Sequence, residues 1–172
     1  MTETDRKTEL NKKVVQQEAE SDRVKKAIEF AKKAHEGQKR KTGEPYIIHP
    51  MAVMRTLMDW GMDEDTVIAG VLHDTVEDTE VTLEDVKREF GEAVAFLVDG
   101  VTKIGKARQG MRDIDTYLPA TKDNLLRLLV ATGADIRVLI IKLADRLHNL
   151  RTLSALPLEK QKKIAKESLE VF

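Results

Sequence analysis

Residues 65–78 read DTVIAGVLHDTVED. The first half is apolar and the second half is ionisable, with no proline between them. The spacing predicts a helix from about Asp63 to Asp78, with Ile68, Leu72 and Val76 turned toward a core. On a helix, residues four apart share a face, so His73 lies beneath Glu77 and Asp74 beneath Asp78. Four ionisable groups thus occupy one narrow arc beside the most apolar part of their neighbourhood. Charged groups avoid such surroundings unless something compensates their desolvation. A divalent metal is one compensation, because imidazole and carboxylate are both good ligands. A solvated acidic helix end with a His–Glu contact is the other reading of the same heptapeptide.

Outward from this stretch the chain reads as helix after helix. Val24, Ala27, Ile28, Ala31 and Ala34 recur at helical spacing over 21–35, with Ser21 as the N-cap. The segment GQKRKTGEP, 37–45, reads as a loop from its Gly and Pro content. A helix is expected from Pro50 to Trp60, with His49 biased toward an extended conformation by the proline after it. Thr82 and Asp85 have the spacing of a capping box for a helix ending near Gly91. Val94, Leu97, Val98 and Val101 mark a further helix. Residues 103–120 carry no steady apolar stripe and read as a mobile loop. Helices are expected near 121–132 and 135–152, and another after Pro157. Only the short YII at 46–48 competes as β structure, so the class is all-α. Residues 1–20 are charged and weakly periodic, an arm or frayed helix before a single domain at 21–172.

The composition limits what such a domain does. Of 172 residues, 29 are Lys or Arg and 30 are Asp or Glu, a net charge of −1. That balance argues against bulk nucleic-acid binding. Cysteine is absent, so any metal must be held by nitrogen and oxygen. The N-terminus lacks the apolar core of a signal peptide, and no run approaches the roughly 18 residues of a membrane span. A soluble cytoplasmic protein is the expectation.

Two other stretches carry chemistry. VLIIKLADRLHNLRTL, 138–153, is apolar on most faces, yet Asp145 sits in its middle. Ile141, Asp145, Asn149 and Thr152 share a stripe. A carboxylate there needs a partner, either a metal or an arginine such as Arg146 or Arg151. RKTGEPYIIHP, 40–50, sets Arg40 and Lys41 in a loop, Gly43 where backbone approaches a ligand, and His49 ahead of a helix start, where anions settle. It is equally an ordinary basic loop. His35 and His148 read as structural.

Together these stretches spell one upstream histidine, a His-Asp pair and a later buried aspartate. That pattern resembles the HD phosphohydrolase superfamily. RKTGEPYIIHP, GVLHDTVEDT, LVDGVTKIGK and DIRVLIIKLADRLHNLRTL are similar, more narrowly, to the hydrolase domain of the Rel/SpoT family, over about 21–172. The resemblance implies a compact multi-helix HD fold with a metal site between helices. It implies Mn²⁺ held by His49, His73, Asp74 and Asp145, and Glu77 and Asp78 as the catalytic carboxylates. It implies that Arg40 and Lys41 lie beside the guanine base and nearby phosphate, and that Asn149 contacts the nucleoside. The implied reaction removes the 3′-diphosphate of ppGpp or pppGpp, leaving GDP or GTP and pyrophosphate. PATKDN, 119–124, departs from the family, whose long members read closer to AEN. Those members also carry synthetase and regulatory domains. ESLEVF at the end reads as helix, so either a piece of a longer enzyme or a short hydrolase is expected. An HD phosphohydrolase for another nucleotide and a non-catalytic nucleotide sensor are the competing expectations.

Overall fold

The computed structural model describes residues 21–40, 43–114 and 135–171. The described helices are α1 (Asp22–Ala34), α2 (Ile48–Asp59), α3 (Glu64–Leu72), α4 (Thr75–Asp78), α5 (Leu83–Phe90), α6 (Glu92–Ile114), α7 (Ile136–Arg151) and α8 (Leu158–Val171), with a 3₁₀ turn at Leu153–Ala155. Among the described residues, β structure is limited to one antiparallel bridge between Lys39 and Pro45. YII forms a turn and the start of α2 instead. The chain is all-α, as the spacing of its apolar residues predicts.

Helix α3 lies at the centre, packed against α1, α2, α6 and α7. Every residue from Thr66 to Leu72 is buried, as expected of a helix apolar on all sides. Gly70 sets how closely α2 approaches, since a Cβ there would come within 2.2 Å of Leu57 Cδ1. Gly100 does the same between α6 and α7, where a Cβ would meet Val138 Cγ2 at 2.8 Å. Asp63 caps α3 by accepting from the Thr66 N–H, and Thr82 and Asp85 form the capping box of α5. Arg23 on α1 pairs with Glu64 and with Asp65, at 2.9 Å for the latter, tying α1 to the start of α3.

Three local expectations are corrected. The helix expected to run unbroken to Asp78 turns at His73 and Asp74 and resumes as α4. His73 Nδ1 lies 2.8 Å from the Gly70 carbonyl, and the Thr75 hydroxyl donates to the Leu72 carbonyl at 2.7 Å. Those side chains replace backbone donors at the last turn of α3. His49 is helical, the second residue of α2, rather than extended. Pro50 at the third position costs nothing there, because the first helical N–H groups have no intrahelical acceptor. Residues 103–114, expected as loop, continue α6. The buried Val94, Leu97, Val98 and Val101 anchor its first turns, and extending a formed helix is far easier than starting one. Residues 115–120 and the helix expected near 121–132 lie outside the described residues, as do the expected arm at 1–20 and PATKDN.

Candidate metal and phosphohydrolase site

Three segments deliver the site. His49 comes from the first turn of α2, His73 and Asp74 from the bend between α3 and α4, and Asp145 from the middle of α7. His49 Nε2 lies 3.5 Å from Asp74 Oδ2 and 3.3 Å from Asp145 Oδ1. His73 Nε2 lies 3.0 Å from Asp74 Oδ2 and 4.0 Å from Asp145 Oδ1. Ligand atoms of His49, His73 and Asp74 all fall within 4.8 Å of one another, the spacing of donors around one ion. The bend places His73 here, for the Nδ1–Gly70 contact leaves Nε2 facing the carboxylates.

The donors fit a divalent metal. His73 Nε2 is buried with no well-aligned hydrogen-bond partner, and His49 turns its Nε2 toward the same carboxylates. Buried polar atoms are almost always satisfied, so an unpartnered imidazole nitrogen facing two carboxylates marks a place for a cation. With no cysteine, the set of imidazole and carboxylate suits Mn, Fe or Zn rather than a thiophilic ion.

The charges in this small space are strongly interdependent. Burial alone would lower His73, but Asp74 and then Asp145 overcome it and raise the imidazole to about 9. Burial opposes ionisation of Asp74, yet His73 and His49 hold it below the usual carboxylate range. Asp145 is likewise kept ionised against burial, chiefly by Lys142 and then by His49 and His73. Lys142, one turn before Asp145 on α7, sets Nζ 3.0 Å from Asp145 Oδ2. The expected partner of Asp145 was an arginine or a metal. Its protein cation is this lysine, with Oδ1 left toward the histidines.

Around the cluster lie the other residues singled out from the sequence. Glu77 is half-buried on α4, within electrostatic reach of Lys142, and Asp78 is exposed beside it. Asn149 Nδ2 donates to Asp145 Oδ1 at 2.7 Å, and its Oδ1 accepts from Arg40 Nη2 at 3.0 Å. Arg40 Nη1 lies 2.8 Å from His148 Nε2, so the loop arginine is docked on α7 beside the site. Burial, His49 and Arg40 push His148 down to about 4, leaving it neutral and able to accept from Arg40. Lys41 lies outside the described residues. Sequence reasoning missed Lys142 and Tyr46. The Tyr46 hydroxyl donates to Asp74 Oδ2 at 2.6 Å and reaches Asp78 Oδ2 at 3.0 Å. The i,i+3 spacing of Lys142 to Asp145 was visible, but nothing in the sequence joins Tyr46 to Asp74.

Comparison with known proteins identifies relatives of this chain. The family model described as HD domain matches residues 27–172. The guanosine-3′,5′-bis(diphosphate) 3′-pyrophosphohydrolase of Aquifex aeolicus is 50% identical over 152 residues, covering 88% of this chain and 21% of that protein. The GTP pyrophosphokinase of Streptomyces coelicolor is 50% identical over 149 residues, covering 87% of this chain and 17% of that protein. A solved structure of a metazoan ortholog of SpoT, which hydrolyses ppGpp and plays a role in starvation responses, aligns with a TM-score of 0.67. It is 29% identical and covers 88% of this chain and 84% of that one. The chain spans only 21% and 17% of the length of those two curated relatives. No described helix is long and apolar enough to cross a membrane. A paired histidine and aspartate at a helix bend, completed by a second histidine and a second aspartate from flanking helices, is thus joined to a match running from residue 27 to the end, and the chain belongs to the HD-domain family.

Proposed function

We propose that this chain hydrolyses the 3′-diphosphate of guanosine alarmones, converting ppGpp to GDP and pppGpp to GTP with release of pyrophosphate. The observation that carries this reading is the cluster of two imidazoles and two carboxylates at spacings of 3.0–4.0 Å. The 50% identity to a protein named as a 3′-pyrophosphohydrolase supports the substrate. In this proposal His49, His73, Asp74 and Asp145 hold Mn²⁺. When bound, the ion supplies Lewis acidity, lowering the pKa of water and drawing charge from the phosphoryl group. The chain's own residues do the remaining work. The bend at His73 keeps an imidazole lone pair turned to the cluster, and Lys142 keeps Asp145 ionised. Glu77 orients the attacking water and accepts its proton at a carboxylate oxygen, with Asp78 assisting. The water oxygen bonds to the phosphorus on the ribose 3′ oxygen and the P–O3′ bond breaks. The 3′ oxygen takes up a proton and pyrophosphate leaves. Arg40 and Asn149 receive the nucleoside, and Lys41 offsets charge on the diphosphate. Residues 21–172 form the catalytic unit. A small nucleotide is the partner, with no nucleic acid and no membrane, and a cytoplasmic location is part of the same proposal.

Metal analysis and a product assay on ppGpp, run on the wild type and on Asp145→Asn, test the reading. The wild type is expected to carry Mn²⁺ and release pyrophosphate. The variant is expected to lose most of its metal and all measurable hydrolysis. Unchanged metal content in the variant removes Asp145 from the ligand set. A metal-loaded wild type that leaves ppGpp intact moves the reading to another nucleotide.

A further inference from the structure

We propose that Tyr46 is a positioning residue that, through one phenolic proton, holds Asp74 and Asp78 in register. The kinetic part of this proposal rests on the hydrolase reading, and the metal-binding part does not. The Tyr46 hydroxyl lies 2.6 Å from Asp74 Oδ2 and 3.0 Å from Asp78 Oδ2. A phenol has a single proton to donate, and here two carboxylates compete for it. Those carboxylates sit one turn apart, joined by the bond from the Asp78 N–H to the Asp74 carbonyl at 2.9 Å. Left alone, they would repel and Asp78, which is exposed, would turn to solvent. A donor shared between ionised acceptors makes short, strong bonds to both in turn. An ordinary phenol keeps its proton throughout the neutral range, so the hydroxyl is a donor there.

The loop that carries Tyr46 is itself fastened to α4. The Tyr46 ring stacks on His35, centroids 4.5 Å apart, at the end of α1. His35 Nδ1 lies 2.8 Å from Gln38 Oε1, and Gln38 Nε2 donates to the Asp78 carbonyl at 2.9 Å. The Tyr46 N–H donates to the Gln38 carbonyl at 3.1 Å. Four residues therefore close a ring around the end of α4, gripping Asp78 by both side chain and backbone. A phenylalanine would fill the same space and keep the stack. Only the hydroxyl reaches the carboxylates, so its function is separable from packing.

Tyr46→Phe is the test, with Gln38→Ala as the second variant. Tyr46→Phe is expected to unfold at the wild-type temperature, to weaken Mn²⁺ binding about tenfold, and to lower kcat on ppGpp about tenfold, the range typical when a group orienting a metal ligand is lost. KM is expected to stay within about twofold, since the phenol orients reacting groups rather than the nucleotide. Gln38→Ala leaves the phenol on Asp74, so Mn²⁺ affinity is expected to stay at the wild-type value while kcat falls a few-fold. Wild-type Mn²⁺ affinity and kcat in Tyr46→Phe overturn the proposal. So does an equal loss of Mn²⁺ affinity in Gln38→Ala, which would reduce Tyr46 to a part of loop packing. Should the wild type not hydrolyse ppGpp, the substrate reading fails while the Mn²⁺ titration still decides the role of Tyr46.

Discussion

Glu77 sits one turn beyond the His73–Asp74 bend, half-buried and close enough to feel Lys142. It is not among the proposed ligands, so Glu77→Gln is expected to keep its Mn²⁺ and lose about 10²–10⁴-fold in kcat, the usual range for a general base. Near-normal turnover with metal content verified would remove Glu77 from the mechanism. At this scale the sequence was most informative about groups whose chemistry is rare in a core. His73, Asp74 and Asp145 stood out because ionisable side chains interrupt apolar helices. Tyr46 did not, because a tyrosine in a loop is unremarkable until folding brings it 2.6 Å from Asp74. Arg40 was expected beside a guanine base. In the structure it bonds His148 and Asn149, an arrangement that depends on α7.

At the scale of elements, the contact between α2 and α3 decides how His49 and His73 meet. Gly70 has no room for a Cβ against Leu57 of α2, and its carbonyl is the one His73 Nδ1 contacts. Gly70→Ala would place a methyl 2.2 Å from Leu57 Cδ1, inside a fully buried layer. Overpacking costs about 1–3 kcal/mol, and the better helix propensity of alanine returns at most about 1. The variant is expected to be less stable in chelator by about 1–2 kcal/mol in urea unfolding, and to bind Mn²⁺ more weakly because His73 moves with α3. Stability equal to wild type would show that Leu57 repacks without cost. Helix identity was legible here from apolar spacing, and so were the caps at Ser21 and Thr82; the cap at Asp63 came only with the structure. The bend at His73 was not, since side-chain bonds to the Gly70 and Leu72 carbonyls replace a ladder that periodicity alone would continue. The length of α6 was not either, because the residues past 103 carry no steady apolar stripe and the core that anchors the first turns is out of view.

For the whole molecule, proton and metal are alternative ways of balancing the carboxylates at its centre. In the metal-free protein His73 is raised from 6.5 to about 9. Its contribution to folding is therefore full below about pH 6.5 and lost as pH rises through 9. A metal ligand must be deprotonated, so a divalent ion bound at His73 in the proposed site would displace that proton. The apparent Mn²⁺ affinity is expected to fall up to about tenfold for each pH unit below 9. Titrations at pH 6.5, 7.5 and 8.5 measure this, and calorimetry in buffers of different ionisation enthalpy is expected to show release of about one proton at pH 7.5. A pH-independent affinity would show that His73 is already neutral before the metal arrives. The sequence by itself determined the helical class and most helix limits, because apolar periodicity is a local property of the chain, and the rarity of buried charge made His73, Asp74 and Asp145 candidates for one site. Only the tertiary structure decided that Asp145 is balanced by Lys142, that Arg40 docks on α7, and that Tyr46 joins Asp74 to Asp78. Those pairings depend on which helices lie side by side and where α3 bends, and no spacing along the chain encodes a distance across the core.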